Sequence, residues 1–353
     1  MANNDSVIEV LSELLCNYEL QDIKSCLKNI KRSIENNGNI NKPGLNYFST
    51  PQEFKLFLTE ELNQILETRT LERTHYYIRR LIKSLDEPDT NNVNDLNMNL
   101  WKRYDDILTD SLWIFDKRDS SGAHSAGYWG NFIPQIPNQL LRRFTKKGDW
   151  CLDTFLGSGT TLMECKRLGR NGIGVELLSE VVELAKKNLA EDENLFDNNV
   201  RTEIICADSR SLNYKSELTK LGINSVQFII MHPPYWDIIK FSDDESDLSN
   251  SKSIEDFLLN LGIIIDNIKD LLDKGRYLAL VIGDKYSDSE WIPLSFFSMQ
   301  EILKRKFKLK STIIKNFDET KGKMNQKELW RYRALKGGFY IFKHEYIFLF
   351  QKL

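Results

Sequence analysis

The sequence has few histidines and no closely spaced pair of cysteines. Of its 353 residues only four are histidine and five are cysteine, and the cysteines form no Cys-x-x-Cys pair. Zinc sites are usually built from clustered cysteine and histidine side chains. We therefore expect neither a zinc centre nor another metal site.

The sequence also lacks a signal-peptide pattern, a long apolar run and a strong net charge. No segment is apolar over the length that crosses a bilayer, so we expect no membrane association and a cytoplasmic location. The formal net charge is −3, so any attraction to nucleic acid must come from a local basic surface. The composition, with 41% hydrophobic residues, is typical of a globular protein of one large domain or two.

Apolar residues at helical spacing predict that residues 1–85 fold as helices. The polar segment 86–95 is the best candidate for a boundary, which gives a helical N-terminal region, 1–95, and a second domain, 96–353. The N-terminal region could serve DNA recognition or dimerisation, or it could be a helical pack with a solvated basic face. An amphipathic helix is predicted at the start of the second domain, over residues 100–115.

From residue 149 onward, apolar runs alternate with helical patterns. Strands are predicted at 149–155, 171–177, 201–207, 226–232, 276–283, 309–316 and 343–351. Helices are predicted at about 160–169, 179–191, 253–272 and 294–306. This alternation predicts an α/β fold with a mostly parallel sheet covered by helices on both faces. No helix is evident between the last two strands, which predicts an antiparallel pairing at one edge.

A glycine-rich turn, Asp153-Thr-Phe-Leu-Gly-Ser-Gly-Thr-Thr161, follows the first of these strands and precedes a helix. Gly157 and Gly159 lack the Cβ atoms that would keep a nucleotide-like ligand away from the backbone. Tight strand-to-helix turns also use glycine for packing alone, so both interpretations are open on this motif by itself.

Acidic residues stand at the ends of three successive strands. Glu176 ends the second strand roughly 20 residues beyond the turn, where an acid can accept hydrogen bonds from ribose hydroxyls. Asp153 and Asp208 follow the first and third strands. Any one of these acids could simply cap the next helix. Because the carboxyl ends of parallel strands meet at one edge of a sheet, the three together predict a nucleoside site.

A buried strand runs directly into His232-Pro-Pro-Tyr-Trp236. This segment resembles the (Asp/Asn/Ser)-Pro-Pro-(Tyr/Phe/Trp) motif of DNA methyltransferases that modify exocyclic amines, the N4-cytosine and N6-adenine family. The turn at Asp153–Thr161 resembles the cofactor motif of S-adenosylmethionine-dependent methyltransferases. The resemblance covers roughly residues 120–353 and not the first hundred. It implies a class I methyltransferase fold, which is a Rossmann-like, seven-stranded, mostly parallel sheet.

The resemblance also implies S-adenosylmethionine as cofactor and assigns site residues. The cofactor-binding positions are Phe132, Pro134, Asp153, Phe155, Gly157, Gly159, Thr160, Glu176, Leu177, Asp208 and Ser209. The catalytic positions are His232, Pro233, Pro234, Tyr235 and Trp236. Asp153 would anchor the ammonium group of the cofactor, Glu176 its ribose and Asp208 its adenine amine.

In the implied reaction, the Pro-Pro pair fixes a backbone whose His232 or Pro233 carbonyl accepts a proton of the amine to be methylated. Tyr235 offers a ring face to the extruded base. His232 departs from the family pattern, because neutral histidine accepts one hydrogen bond and protonated histidine only donates. Activity is therefore predicted to fall at acid pH as His232 protonates. Trp236 after Tyr235 is similar to a Ser-Pro-Pro-Tyr-Trp variant common among N4-cytosine enzymes.

Basic residues concentrate between residues 304 and 336, although the whole chain is slightly acidic. A charge run is often only a solvated face. Beside a base-modifying site it predicts a surface that follows DNA phosphates. The residues assigned to nucleic-acid binding are Lys323, Arg331, Arg333 and Lys336.

The function implied is site-specific methylation of an exocyclic amine in double-stranded DNA, in a restriction-modification or defence system. A cognate restriction endonuclease is a possible partner, and the enzyme would be a monomer or a homodimer. One alternative is an RNA amino-methyltransferase. The other is a catalytically silent subunit with a methyltransferase fold, which the unusual His232 would indicate.

Overall fold

The structure is a computed structural model that describes residues 4–16, 18–36, 50–86, 90–121, 130–191, 200–317 and 327–353. The chain divides into two compact units. The first comprises the described residues up to Asn92 together with Leu96–Asp105, and the second comprises Val93–Asp95 and the described residues from Asp106 onward. The boundary predicted between residues 95 and 96 lies in the stretch 93–105, where the chain passes to the second unit, back to the first and again to the second.

The first unit is helical, as the spacing of apolar residues predicts. Its helices are α1 (Asn4–Glu13), α2 (Leu20–Asn36), α3 (Pro51–Leu66) and α4 (Leu71–Asp86), followed by a short 3₁₀ helix, Met98–Arg103. Helix α3 begins where its cap dictates, because the Thr50 side chain accepts a hydrogen bond from the Glu53 amide at 3.1 Å and Pro51 fills the first turn. The apolar faces meet in a core that contains Leu27, Leu58 and Ile78.

The second unit is built on an eight-stranded sheet. Its strands are β1 (Leu112–Trp113), β2 (Trp150–Asp153), β3 (Asn171–Glu176), β4 (Thr202–Cys206), β5 (Val226–Met231), β6 (Leu272–Ile282), β9 (Phe307–Asn316) and β10 (His344–Lys352). A separate hairpin is formed by β7 (Lys285–Ser287) and β8 (Glu290–Ile292). The strand order is β1-β9-β10-β6-β5-β2-β3-β4. Strands β2 to β6 pair in parallel, and β10 is antiparallel to β6 and β9. The predicted α/β class and the antiparallel pairing are confirmed.

Helices cover both faces of this sheet. They are α5 (Gln135–Phe144), α6 (Thr160–Leu168), α7 (Ser179–Glu191), α8 (Tyr214–Lys220), α9 (Ile254–Ile268), α10 (Leu294–Leu303) and α11 (Lys327–Gly337). Alternate residues of a strand point to opposite faces, so Phe228 and Ile230 pack with α5 while Ile229 and Met231 pack with α9. None of the helices in the described ranges is both long and apolar enough to cross a membrane.

Four features differ from the prediction. The sheet has an eighth strand, β1, where a helix over 100–115 was expected; Trp113 is buried between exposed Leu112 and Ile114, an alternation that suits a strand. Helix α11 lies between β9 and β10, where no helix was evident. Helix α8 and the β7–β8 hairpin were also missed, because each is too short to show a clear period.

Candidate active site

A cavity of about 790 Å³ lies at the carboxyl ends of β2 to β6. The order of the strands reverses between β2 and β5, and ligands of open α/β sheets bind at such a switch point. Its volume is within the range of small-molecule sites. Of the predicted site residues, those that line it are Phe132, Phe155, Gly157, Glu176, Leu177, Asp208, Ser209, His232, Pro233, Pro234 and Tyr235.

One end of the cavity, here called the turn end, is formed by the residues that follow β2, β3 and β4. Gly157 and Gly159 have φ of +55° and +92°, a left-handed conformation that favours glycine. Gly159 caps α6 and does not line the cavity, and a Cβ there would lie 3.4 Å from the Cβ of Ala185. The glycines therefore allow both the turn itself and its close packing on α7.

Glu176 holds the glycine turn in place from the end of β3. Its Oε2 accepts a hydrogen bond from the Gly157 amide at 2.9 Å, and its Oε1 accepts one from the Leu178 amide at 3.1 Å. Burial raises the pKa of Glu176 above the usual glutamate value, although these amide donors oppose the rise. The carboxylate stands in the cavity wall and retains acceptor capacity for a ligand hydroxyl.

Asp153 does not line the cavity. Its side chain is buried and accepts hydrogen bonds from the Phe155 amide at 2.9 Å and from the Thr161 hydroxyl at 2.5 Å. Burial raises the pKa of Asp153 to about 6, while the two donors act in the opposite direction. In this arrangement one oxygen holds the turn directly after β2 and the other ties β2 to the start of α6.

The end of β4 supplies Asp208 and Ser209. Asp208 accepts hydrogen bonds from the Arg210 guanidinium at 3.0 and 3.1 Å and from the Arg210 amide at 2.8 Å. The Ser209 hydroxyl donates to the Thr154 carbonyl at 2.8 Å, which ties the end of β4 to that of β2. Both residues line the cavity, but only Asp208 has a charged group there.

Asn131 is a functional candidate that the sequence reasoning missed. Its side chain accepts a hydrogen bond from the Thr160 hydroxyl at 2.7 Å and donates to the Ser158 hydroxyl at 2.6 Å. The Thr160 hydroxyl thereby anchors the segment 131–134 around Phe132, here called the aromatic segment, to the glycine turn outside the cavity wall. Pro134, also outside the wall, is buried and begins α5. The polar Asn131 just before Phe132 in an aromatic segment was the available signal.

The other end of the cavity, here called the motif end, is formed by the residues after β5. The His232 ring lies 4.8 Å from the Phe132 ring and 5.6 Å from the Tyr235 ring, centroid to centroid. The Tyr235 ring packs on Gly283 at the end of β6, where a Cβ would lie only 2.8 Å from Cε2. Glycine at this position allows the tyrosine to occupy its place in the wall.

The side chains of His232, Tyr235, Glu345 and Lys315 form a hydrogen-bonded group at the motif end, here called the polar network. His232 Nε2 lies 3.1 Å from Tyr235 Oη, and Tyr235 Oη donates to Glu345 Oε2 at 2.8 Å. Lys315 Nζ lies 3.1 Å from Glu345 Oε1, and Lys315 and Glu345 are register partners on β9 and β10. Both are buried, and both line the cavity. The sequence reasoning assigned neither of them to the site.

The polar network sets the protonation of its members. Burial lowers the pKa of His232, Glu345 opposes the shift and Lys315 adds to it, and together they bring this pKa to about 4. Burial opposes ionisation of Glu345, but Lys315 and His232 together hold its pKa below the usual value. Burial, with Glu345 beside it, raises the pKa of Tyr235 well above its ordinary range. At neutral pH the network therefore contains a carboxylate, a neutral histidine and a neutral phenol.

Trp236, the last residue of the motif, does not line the cavity. Its φ is +50°, which a bulky side chain rarely adopts, and its indole Nε1 donates to the Ser251 carbonyl at 2.9 Å. The Lys285 ammonium lies 4.1 Å from its ring centroid and forms an ion pair with Asp237 at 2.5 Å. Trp236 thus fixes the backbone after Tyr235 instead of contacting a ligand.

The segment after the motif contributes to the cavity wall through Ile238, Phe241 and Leu248. It is held by its own hydrogen bonds, among them one from the Ser242 hydroxyl to Asp247 at 2.9 Å. The Phe241 ring packs on Gly130, where a Cβ would lie 2.8 Å from Cζ. This segment is therefore part of the cavity wall.

Helix α11 connects the cavity to a basic surface. Trp330 lines the cavity, while Arg331, Arg333 and Lys336 on the same helix are exposed. None of the three lines the cavity itself. Lys323, the fourth residue predicted to bind nucleic acid, lies outside the described residues.

The wall of the cavity combines a few acceptors with apolar and aromatic side chains. At the turn end, Glu176 and Asp208 stand beside Phe155 and Leu177, a combination that suits a nucleoside. At the motif end the aromatic residues are Phe132, Tyr235, Phe241, Phe317, Trp330 and Phe342. Among the residues that the structure describes, no group of three or more His, Cys, Asp or Glu side chains is arranged to hold a metal ion.

Comparison with known proteins gives several related sequences. Over 144 residues the chain is 34% identical to the Type II methyltransferase M2.DpnII of Streptococcus pneumoniae, which covers 39% of this chain and 46% of that protein. Over 102 residues it is 41% identical to the Type II methyltransferase M.HpaI of Haemophilus parainfluenzae, which covers 28% and 30%. The chain thus spans less than half the length of these curated relatives.

Among solved structures, TrmN from Thermus thermophilus matches with a TM-score of 0.40 and 18% identity, over 63% of this chain and 49% of that one. A score this low supports no conclusion, and the fold rests on the strand order itself.

A family model described as DNA methylase, of the N6 and N4 methyltransferases, matches residues 14–187 and 226–353. The match begins at residue 14, so it also corrects the expectation that the likeness excludes the first hundred residues. It includes the glycine turn, the Pro-Pro motif and both strands of the polar network. With most of its length matched in this way, the chain belongs to the N6/N4 DNA methylase family.

Proposed function

We propose that the chain is a DNA methyltransferase that transfers a methyl group from S-adenosylmethionine to the exocyclic amine, N4 of cytosine or N6 of adenine, of a base extruded from the duplex. The observation that carries the proposal is that one cavity is lined by the glycine turn at one end and by His232-Pro-Pro-Tyr235 at the other. A methyl donor and an acceptor base could therefore lie side by side.

The turn end fits the cofactor. Gly157, with its positive φ and no Cβ, allows a ligand close to the backbone, and Glu176 and Asp208 offer carboxylate oxygens to hydroxyl and amine groups. When bound, S-adenosylmethionine would supply an electrophilic methyl group on a sulfonium. Asp153 is proposed here to position the turn rather than to anchor the cofactor directly, because the turn itself uses both of its oxygens.

The motif end fits a flipped base and its amine. Tyr235 and the neighbouring aromatic residues provide faces for stacking, which is how base-modifying enzymes hold an extruded base. Neutral His232 and the backbone carbonyls of the Pro-Pro segment can accept hydrogen bonds from the N–H groups of the amine, so that its lone pair turns towards the methyl donor. Catalysis would then consist mainly of positioning and of excluding water.

Helix α11 is proposed to follow the DNA backbone. Its exposed Arg331, Arg333 and Lys336 stand on the helix that places Trp330 in the cavity wall, so phosphate contacts there would present a base to the motif end. The match to Type II methyltransferases supports a role in a restriction-modification system with a cognate endonuclease. Of the two bases, the Pro-Pro-Tyr-Trp pattern favours cytosine N4.

The test is transfer of a labelled methyl group. The chain is incubated with methyl-labelled S-adenosylmethionine and with unmodified duplex DNA, single-stranded DNA or total RNA, and the products are digested to nucleosides and separated. We expect label in N4-methylcytosine or N6-methyladenine from duplex DNA, and none with Tyr235→Ala.

Label recovered only from RNA would identify an RNA amino-methyltransferase. Cofactor binding in calorimetry without transfer to any of the three substrates would identify a catalytically silent subunit. Either result would contradict the proposed function.

A further inference from the structure

In the polar network, some groups can only donate hydrogen bonds and others can only accept them. These restrictions determine where the protons of the network lie. An ammonium group only donates hydrogen bonds and a carboxylate only accepts them. Lys315 stands 3.1 Å from one oxygen of Glu345, and the Tyr235 hydroxyl stands 2.8 Å from the other. Both oxygens of Glu345 are therefore used as acceptors.

The hydroxyl of Tyr235 has a single proton, and it is donated to Glu345. Tyr235 Oη must then accept the hydrogen bond that joins it to His232 Nε2 at 3.1 Å. A neutral imidazole carries only one N–H, so a proton on Nε2 leaves Nδ1 with a free lone pair. Among the described residues, none forms a second hydrogen bond with the His232 ring.

We infer that Glu345 and Lys315 are positioning residues, which fix His232 as the neutral tautomer with its proton on Nε2 and leave Nδ1 as a hydrogen-bond acceptor in the cavity. The inference deepens the proposed function. It rests on that function only where it identifies the group that donates a hydrogen bond to Nδ1, which is the amine of the target base. It also accounts for histidine at a position where the family has Asp, Asn or Ser. Each of those residues offers an acceptor oxygen, and the network makes histidine offer an acceptor nitrogen.

The substitution Glu345→Gln should reverse the direction of the hydrogen bonds in the polar network without changing the positions of its side chains. Lys315 can only donate, so the amide oxygen of the glutamine must face Lys315 and its NH₂ group must face Tyr235. Tyr235 Oη would accept from that amide and donate its own proton to His232 Nε2. The proton of His232 would then move to Nδ1, which would donate into the cavity instead of accepting.

Nitrogen NMR of the protein labelled with ¹⁵N-histidine reads this change directly. The sequence has only four histidines, and the His232 signals are assigned by their loss in His232→Asn. At neutral pH we expect the wild type to show an unprotonated Nδ1 and a protonated Nε2, and Glu345→Gln to show the opposite. Glu183→Gln, which removes the same charge from an exposed ion pair with Lys186 on α7, should leave the His232 spectrum unchanged.

Kinetics separate positioning from structure. Glu345→Gln should lower kcat on the order of 100-fold, the usual size of a proton-accepting contribution, with the KM for S-adenosylmethionine unchanged. Lys315→Arg keeps the cation beside Glu345 and should retain both the wild-type tautomer and most of kcat.

A wild-type spectrum with the proton on Nδ1 would overturn the inference, and it decides the matter even if Glu345→Gln fails to fold. An unchanged tautomer in Glu345→Gln, or an unchanged kcat despite a reversed tautomer, would also overturn it. If the wild type methylates neither DNA nor RNA, the proposed function fails, while the spectrum still decides whether the network fixes His232.

Discussion

The two ends of the cavity are built in different ways. At the turn end, each strand-end acid accepts a hydrogen bond from the amide two residues further on, as Asp153, Glu176 and Asp208 all do. At the motif end, Tyr235 bonds to Glu345, which is 110 residues away in the sequence. The turn end thus repeats one short-range hydrogen bond at successive strands. The motif end depends instead on the pairing of strands that are distant in the sequence.

This difference separates the consequences of mutation. Changes at the turn end should alter cofactor affinity and leave the acceptor side intact. Changes at the motif end should alter methyl transfer, or stability, and leave cofactor affinity intact.

The largest effect is expected from Lys315→Met at the motif end. It leaves the buried carboxylate of Glu345 without its cation, and breaking a buried ion pair typically costs about 3 kcal/mol of unfolding free energy. Lys186→Met is the matched control, because its ion pair with Glu183 on α7 is exposed and should contribute less than about 0.5 kcal/mol. Equal losses in denaturant titrations of the two variants would show that burial of the pair is not what matters.

At the turn end, Glu176→Ala removes the acceptor of the Gly157 amide and a carboxylate of the cavity wall. Hydrogen bonds to charged groups contribute about 2 kcal/mol, so the Kd for S-adenosylmethionine should rise about 30-fold in calorimetry. The exposed Glu180→Ala on α7 should leave the Kd unchanged. A wild-type Kd in Glu176→Ala would remove this residue from the cofactor site.

Gly283→Ala tests the packing of the motif end. The new methyl group would lie 2.8 Å from Tyr235 Cε2 and should push the ring into the cavity, which costs about 1.4 kcal/mol and lowers kcat about tenfold. The Kd for the cofactor should not change. Gly275→Ala, near the other end of β6, serves as control: the new Cβ meets no atom within 4 Å, and its φ of +78° should cost stability but leave kcat unaffected.

The contrast between the two ends also explains what the sequence could predict. The glycine turn, the strand-end acids and the Pro-Pro motif are contiguous patterns, and the structure brings Gly157, Glu176 and Tyr235 to one cavity. Lys315 looked like one more lysine in a basic run, and Glu345 like a polar residue in a core strand. Only the register that pairs β9 with β10 makes them partners, and a single sequence does not show that register.

Some residues inside recognised motifs also have a different place from the one predicted. Asp153 and Thr160 belong to the cofactor motif, but their side chains are used to hold the turn and the aromatic segment. Trp236 belongs to the catalytic motif, but its indole points to the Ser251 carbonyl. A motif specifies residue types, while the direction of each side chain depends on backbone angles such as the positive φ of Trp236.

A smaller effect is expected from charge reversal on α11, which adjoins the motif end. Arg331→Glu with Lys336→Glu should weaken DNA binding and reduce the slope of log affinity against log salt by about one for each lost phosphate contact. Cofactor affinity should stay the same. Lys186→Glu with Lys187→Glu on α7 reverses as much charge on another exposed helix and should have little effect. Unchanged DNA affinity in the α11 variant would exclude this surface.

The smallest effect concerns pH. The folded pKa of His232 is about 4, below its ordinary 6.5, so the unfolded chain binds the extra proton first and stability falls as pH drops through that window. The activity that depends on neutral His232 should persist to about pH 5 and be half lost near pH 4. His232→Asn should lack this component, and superimposable acid limbs in the two pH–rate profiles would count against His232 as an acceptor.

The account depends most on a single cavity that holds donor and acceptor together. A crystal structure with bound S-adenosylhomocysteine tests this directly. We expect its density at the turn end, with the nucleoside beside Glu176 and Asp208 and the sulfur facing His232 and Tyr235. Density at another place, or none at a saturating concentration, would contradict the account.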